Sequence, residues 1–243
     1  MTTMRRTLAV GLLIIAFLSC SGEKENKSAL KEIDYSQLRN LVHQSYFAPL
    51  QVNADLTIIR KDDEGTHSNK GVLRIDRTGT SRLEIEQKQP YVMTFSEDKL
   101  TIKSGSAKPM ELDLYNLNHY LNVPLFREIS VIEPNPFRYY KRFHKYFLDD
   151  SDNDSLIVII REEAEQKKLG DTKVFIHRNT GFVLGLKFYS PDGDMGRRVE
   201  YKNPVRQGEF FIPSKIIIDF ASEGTVVHEQ YLLKNIVIRK TGN

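Results

Sequence analysis

Apolar and polar residues alternate along much of this chain. Residues 55–58 (DLTI), 72–76 (VLRID) and 82–86 (RLEIE) are clear examples, because every second side chain in them is apolar. This alternation places the apolar side chains on one face of a β-strand and the polar ones on the other, as in antiparallel sheets with one solvated face. The pattern therefore predicts a mainly β protein.

About eleven strands can be counted at regular spacing, the number expected of a barrel or a strongly curved sheet. The run 156–160 (LIVII) is continuously apolar, which predicts a strand buried on both faces. Two segments, Asn179-Thr180-Gly181 and Pro191-Asp192-Gly193, have the composition of tight hairpin turns. The other predicted strands cover residues 91–95, 100–102, 173–177, 182–189, 197–201, 210–220 and 226–238.

Two segments carry apolar residues at helical spacing instead. Residues 29–46 predict an amphipathic N-terminal helix that Pro49 ends. Residues 112–147 contain three short helical patterns, which we expect to form a cap inserted into the sheet. The predicted fold class is thus mainly β (α+β): a strongly curved antiparallel sheet, or half-barrel, with an N-terminal helix and a helical lid.

The last piece of this cap, residues 137–147 (FRYYKRFHKYF), interleaves aromatic and basic residues. As a helix it would place Phe137, Tyr140, Phe143 and Phe147 on one side, so we interpret it as an amphipathic lid over apolar space. A patch that contacts a membrane surface is the second interpretation.

The first 19 residues resemble a bacterial lipoprotein signal peptide. Arg5 and Arg6 precede an apolar run of 11 residues, 8–18, which is too short to span a membrane as a helix. Ser19 and the only cysteine of the chain, Cys20, follow this run. The resemblance implies that residues 1–19 are removed and that Cys20 is acylated. An ordinary secretory signal, cut after Ser21, is the alternative.

The same resemblance predicts location and domain organisation. Ser21 follows Cys20 with no aspartate there, which by the enteric sorting rule favours the periplasmic face of the outer membrane. Residues 20–28 would form a lipidated polar tether, and residues 29–243 a single domain. We therefore expect the protein to lie on a membrane of the cell envelope, held by an N-terminal lipid anchor.

The sequence lacks the patterns of a catalytic or metal site. A single cysteine excludes an intramolecular disulfide and cysteine-based zinc or iron–sulfur sites, and none of the six histidines is paired at metal-ligand spacing. No serine lies in a Gly-x-Ser-x-Gly turn, and the acidic runs 62–64 and 149–154 lack EF-hand spacing. The net charge of +3 is small for a nucleic-acid binder. We expect no enzyme activity, metal, cofactor or nucleic-acid partner.

Several sequence features follow one another in a set order along the mature chain. They are a Gly-containing strand at 70–75 (KGVLRI), Arg77 at the next turn, an Arg/Glu-decorated strand from Arg82 to Pro90, two strands around Asp98, the turn Asp192-Gly193 and the strand entry 208–213 (GEFFIP). In this order of elements the chain resembles the LolA/LolB-like superfamily of periplasmic lipoprotein carriers. It departs from the family in having Thr78 where proline is usual, in having no tryptophan and in an additional C-terminal hairpin over residues 221–243.

In this superfamily a curved half-barrel and its helical lid enclose an apolar cavity for the acyl chains of a lipoprotein or lipid. The resemblance implies a monomeric binding protein of outer-membrane lipoprotein sorting or lipid transfer, in which Arg77 holds the lid. The alternative is an envelope interaction or stress-sensor module with the same fold and a filled core. The residues predicted to line the cavity are Leu56, Ile58, Leu73, Ile75, Leu83, Ile85, Tyr91, Met93, Phe95, Leu184, Leu186 and Phe188, and those of the lid are Arg77, Leu121, Phe126, Tyr140, Phe143 and Phe147.

Overall fold

The fold is a single antiparallel sheet. The computed structural model describes residues 30–78, 81–86, 90–96, 99–113, 144–162, 170–222 and 225–241. Within them lie fourteen strands, in the spatial order β1-β8-β9-β10-β11-β12-β13-β14-β2-β3-β4-β5-β6-β7. The strands are β1 Lys31–Ile33, β2 Leu50–Asp62, β3 Gly65–Asp76, β4 Ser81–Ile85, β5 Tyr91–Phe95, β6 Lys99–Ser104, β7 Met110–Asp113, β8 His144–Asp149, β9 Ser155–Glu162, β10 Thr172–His177, β11 Val183–Tyr189, β12 Met195–Gln207, β13 Phe210–Ser222 and β14 Thr225–Lys240.

The sheet curves strongly around one apolar core. Laid flat, fourteen strands would span about 60 Å. Yet inward-facing side chains from distant strands, such as Met93 of β5 and Val158 of β9, belong to one continuous buried cluster. The sheet must therefore bend around this cluster, and its concave side is called the inner face below. The prediction of a mainly β, strongly curved antiparallel sheet is confirmed.

The eleven predicted strands all occur, and three more were missed. Strands β1, β7 and β8 lie wholly or partly in the segments that were predicted to be helical. Strand β9 shows the predicted burial on both faces, because Val158 is buried on the inner face and Ile159, on the outer face, is only 6% exposed.

The predicted N-terminal helix is wrong in its extent. Residues 31–33 form strand β1, and helix α1 covers only Tyr35–Leu41 before a 3₁₀ turn at Gln44–Phe47. A capping box sets the start of α1: the Asp34 carboxylate accepts a hydrogen bond from the Gln37 N–H at 2.7 Å, and the Gln37 side chain accepts one from the Asp34 N–H at 3.1 Å. The apolar spacing of the segment therefore extends through three different local structures.

The helical lid prediction is wrong over residues 144–147. These residues belong to β8, which pairs with β1 on one side and β9 on the other. Tyr146 is buried against the core, whereas Phe147 lies on the outer face opposite Ile159. An aromatic-rich run fits both periods, and pairing with two neighbouring strands decides between them. The other predicted lid residues, Leu121, Phe126, Tyr140 and Phe143, lie outside the described residues.

The segment after α1 closes one end of the curved sheet. The His43 N–H donates to the Gly181 carbonyl oxygen at 2.9 Å, and the Val183 N–H donates to the Tyr46 Oη at 3.1 Å. The rings of Tyr46 and Phe182 are 6.2 Å apart. Gly181 has a φ of +66°, and a Cβ at this position would lie 2.6 Å from the His43 nitrogen. We call this the plugged end. At the opposite end, the far end, lie the β2–β3, β11–β12 and β13–β14 turns.

Candidate functional site

The inner face holds the residues that were predicted to line a cavity. The side chain of Phe95 lies outside the described residues; all the other predicted cavity residues are buried in the core or packed against it. The strand pairing explains this, because residues directly opposite each other in an antiparallel sheet point to the same face. Leu73, for example, is paired with Ile85, and Leu83 with Met93.

Much of this face is in contact with other protein atoms. Leu73, Leu83, Ile85 and Met93 have no solvent-accessible surface. Side chains that line a cavity wide enough for water keep some accessible surface, so this half of the inner face is filled in the present structure. Ile58, on β2 towards the far end, is only half-buried.

A β-bulge changes the position of one predicted cavity residue. Ile176 of β10 is paired with Val183 rather than with Leu184, and the register shifts between Phe175 and Ile176. Val183 therefore takes the fully buried inward position, while Leu184 is half-buried at the bulge. Alternation alone could not place this irregularity.

Two buried charged residues on the inner face were missed by the sequence reasoning. Arg197 of β12 and Glu229 of β14 are each 4% exposed. The Arg197 guanidinium lies 5.3 Å from the centre of the Phe188 ring, and the Tyr231 hydroxyl donates to the Glu229 Oε2 at 3.0 Å. The sequence pattern could have revealed them, because each charge takes an inward position of an alternating strand: Arg197 stands two residues before Val199, and Glu229 two residues before Tyr231. They place two charged groups on the part of the inner face that lies towards the far end, among mostly apolar side chains.

Arg77 follows directly after β3, at the plugged end. It is 4% exposed, and its backbone N–H donates to the Leu50 carbonyl oxygen at 2.8 Å. The preceding Asp76 accepts hydrogen bonds from the Thr78 hydroxyl at 2.7 Å and the Thr78 N–H at 2.9 Å. The hydroxyl bond is the main reason why the pKa of the Asp76 carboxyl is lowered. Thr78, where the carriers usually have proline, thus closes the turn by side-chain hydrogen bonding. The role of Arg77 in holding a lid stays a prediction.

The outer face of β3–β6 carries a groove of about 670 Å³. Its floor contains both polar and apolar side chains, since Val92 and Thr94 of β5 lie beside Lys103 and Thr101 of β6. Tyr91 borders both this groove and the core. The groove is separated from the inner face by the sheet itself.

Within the described ranges, no cluster of three or more His, Cys, Asp or Glu side chains could hold a metal ion. In the same ranges no helix has the length and apolar character needed to cross a membrane. Cys20 and the predicted signal peptide lie outside these ranges.

Comparison with known proteins identifies the fold. No family model matches the sequence, and no curated protein matches it either. Among solved structures, a domain described as an outer membrane lipoprotein-sorting protein, from Vibrio parahaemolyticus, superimposes with a TM-score of 0.60 at 9% identity, covering 86% of this chain and 92% of that one.

Two further structures agree with this match. A LolA superfamily protein from Nitrosomonas europaea gives a TM-score of 0.56 at 15% identity, over 86% of this chain and 96% of that one. A DUF1329 family protein from Desulfovibrio piger gives 0.60 at 6% identity, over 83% and 90%. At these identities the likeness concerns the fold, and the chain has a LolA-like fold.

Proposed function

Taking the LolA-like fold as the premise, we propose that this chain is a lipid- or lipoprotein-binding protein of the bacterial envelope. The observation that carries the proposal is the inner face: one continuous apolar surface on a sheet whose edge strands, β1 and β7, are not paired with each other in the described residues. An open curved sheet can admit a chain-like apolar ligand, and each Å² of buried ligand surface adds about 25 cal/mol. The function is binding, not catalysis.

The proposal extends to location and cargo. Acylated Cys20 attaches the monomer to the periplasmic face of the outer membrane, and the inner face takes the acyl chains during lipoprotein sorting or lipid transfer. Two of the fold relatives support this direction, since they are described as a lipoprotein-sorting domain and a LolA superfamily protein. The far end is the proposed entry, because Ile58 is half-buried there and Phe188 lies beside Arg197.

The test is native mass spectrometry of the full chain purified in mild detergent. Ile58→Asn is the informative variant and Ile59→Asn its matched control, because the two half-buried neighbours point to opposite faces of β2. We expect lipid adducts on the wild type and on Ile59→Asn, and their loss in Ile58→Asn. The free energy of unfolding should fall by less than about 1 kcal/mol in both variants, because neither side chain is fully buried.

A second function is favoured by the fully buried half of the inner face. If that packing is permanent, the protein is an interaction or stress-sensing module with a filled core. Leu83→Ala would then lower the free energy of unfolding by about 2–5 kcal/mol. The wild type would carry no lipid, and Ile58→Asn would behave like Ile59→Asn; this combination would reject the lipid-binding function.

A further inference from the structure

Three cations lie side by side on the outer face of the sheet near the far end. Lys173 of β10 is directly opposite Lys187 of β11, and Lys187 is directly opposite Arg198 of β12. Opposed residues in an antiparallel pair have Cβ atoms about 5 Å apart, and like charges at such positions are destabilising. This row therefore creates a local repulsion that a bound anion would relieve.

The surrounding carboxylates neutralise only part of the positive charge on this face. Lys202 is directly opposite Lys215 on the same face, four residues beyond Arg198 along β12. Glu200 lies between Arg198 and Lys202 on β12 and contacts both, Lys202 at 2.7 Å. Asp219, opposite Arg198, lies 2.5 Å from the His228 Nδ1. We define the basic face as Lys173, Lys187, Arg198, Lys202 and Lys215.

The lysines of β10 and β11 lie over aromatic rings. The Lys173 Nζ is 5.2 Å from the centre of the Tyr189 ring, and the Lys187 Nζ is 5.1 Å from that of Phe175. In the part of the chain that the structure describes, neither ammonium group forms an ion pair with a carboxylate. The rings are half-buried, so the surface has an aromatic floor with cationic tips.

This apolar character continues to the neighbouring strands. The Arg161 guanidinium lies 5.1 Å from the centre of the Phe147 ring, and Ile159 is buried between β8 and β10 on the same outer face. Aromatic bodies with polar or charged ends are suited to the boundary between lipid headgroups and acyl chains. Lysine is a point charge that requires no fixed ligand geometry, which fits a fluid array of phosphates.

We propose that the basic face binds the surface of a membrane that contains anionic phospholipids. The same strands connect this contact to the far end of the inner face: Phe188 and Arg197 point inward beside the outward Lys187 and Arg198. Contact between the basic face and the headgroups places the far end of the inner face beside the bilayer. The proposal goes beyond the lipid-binding function and does not depend on it.

The test measures lysine acetylation rates by mass spectrometry on the full chain, mixed with vesicles of phosphatidylcholine alone or of phosphatidylcholine and phosphatidylglycerol in equal amounts. We expect Lys173, Lys187, Lys202 and Lys215 to be acetylated about fivefold more slowly in the presence of the anionic vesicles. The attraction of one lysine to such a surface is about 1 kcal/mol, which corresponds to a fivefold change in an equilibrium. High salt should restore the rates, because these charges are screened. The exposed Lys103 and Lys108, which lie on the other half of the sheet, serve as internal controls.

Paired variants locate the effect. Lys173→Gln with Lys187→Gln should abolish the protection of Lys202 and Lys215. Lys103→Gln with Lys108→Gln makes the same charge change on the other half of the sheet and should preserve it. Equal slowing of all lysines, or no slowing on the basic face, would overturn the proposal. Protection by polyglutamate but not by anionic vesicles would also overturn it and would identify an acidic protein as the partner.

Discussion

The hydroxyl of Tyr46 attaches the 3₁₀ turn at the plugged end to the sheet, and its removal is a sharp test of this architecture. Tyr46 is almost fully buried, and its Oη accepts a hydrogen bond from the Val183 N–H at 3.1 Å. Val183 is also fully buried. The substitution Tyr46→Phe keeps the ring and its packing against Phe182 but leaves the Val183 N–H without this acceptor in a site that excludes water.

The expected loss follows from the chemistry of that N–H. Leaving a buried backbone donor without its acceptor costs about 1–3 kcal/mol, whereas a hydrogen bond lost at an exposed site costs much less. For a domain of this length, each kcal/mol lowers the melting temperature by about 2–4 °C. Tyr46→Phe should therefore lower the free energy of unfolding by about 1–3 kcal/mol.

Urea unfolding of the full chain measures this loss. The midpoint should fall while the slope of free energy against urea stays constant, because the surface exposed on unfolding is unchanged. Tyr189→Phe is the matched control: Tyr189 is half-buried on the outer face, and its ring, not its hydroxyl, contacts Lys173. If Tyr46→Phe is as stable as the wild type, or if Tyr189→Phe loses as much unfolding free energy as Tyr46→Phe, the Tyr46 hydroxyl does not hold the 3₁₀ turn to the sheet.

Three further predictions concern backbone, charge and anchoring. Gly181→Ala should lower the free energy of unfolding by more than about 1 kcal/mol, because φ is +66° and the new Cβ would lie 2.6 Å from the His43 nitrogen; equal stability by urea unfolding would contradict this. The pKa of the Asp76 carboxyl is lowered below its usual 3.8, so the ionised form stabilises the fold above that pH, and this contribution is lost as the pH falls through the folded pKa. The difference in unfolding free energy between wild type and Asp76→Asn, measured by acid titration, should therefore shrink below pH 3.8. A constant difference would refute the role of the Thr78 bonds. Cys20→Ala should move the protein from the membrane to the soluble fraction on cell fractionation, and unchanged membrane association would rule out the anchor.

The sheet could be predicted from sequence because its strands alternate. In segments 72–76 and 82–86, Leu73 and Ile75, and likewise Leu83 and Ile85, stand two positions apart, and all four point inward in the structure. Strands β1 and β8 could not be found in this way. Their pairing with each other is a contact between residues more than a hundred positions apart, and period counting sees only local sequence.

The candidate site was predictable only in its apolar part. Alternation identified Leu83 and Met93 as inward-facing, but it treats an inward charge as a break in the pattern, so Arg197 and Glu229 were missed. It also could not show whether the inner face is filled, because a packed core and a ligand cavity require the same residue types. That difference depends on side-chain contacts between strands, which only a three-dimensional structure provides.

The position of β14 determines when the sheet can become continuous during synthesis. This last of the fourteen strands lies between β13 and β2, so it joins the half that contains β8–β13 to the half that contains β2–β7. Each half can form hairpins between neighbouring segments as the chain emerges, but the two halves have no shared ladder until residues 225–240 arrive. Loop closure across such a distance is slow, because the entropy is lost before the contacts form. Until that step the backbone edges of β13 and β2 are both open, and each is a template on which another chain could pair.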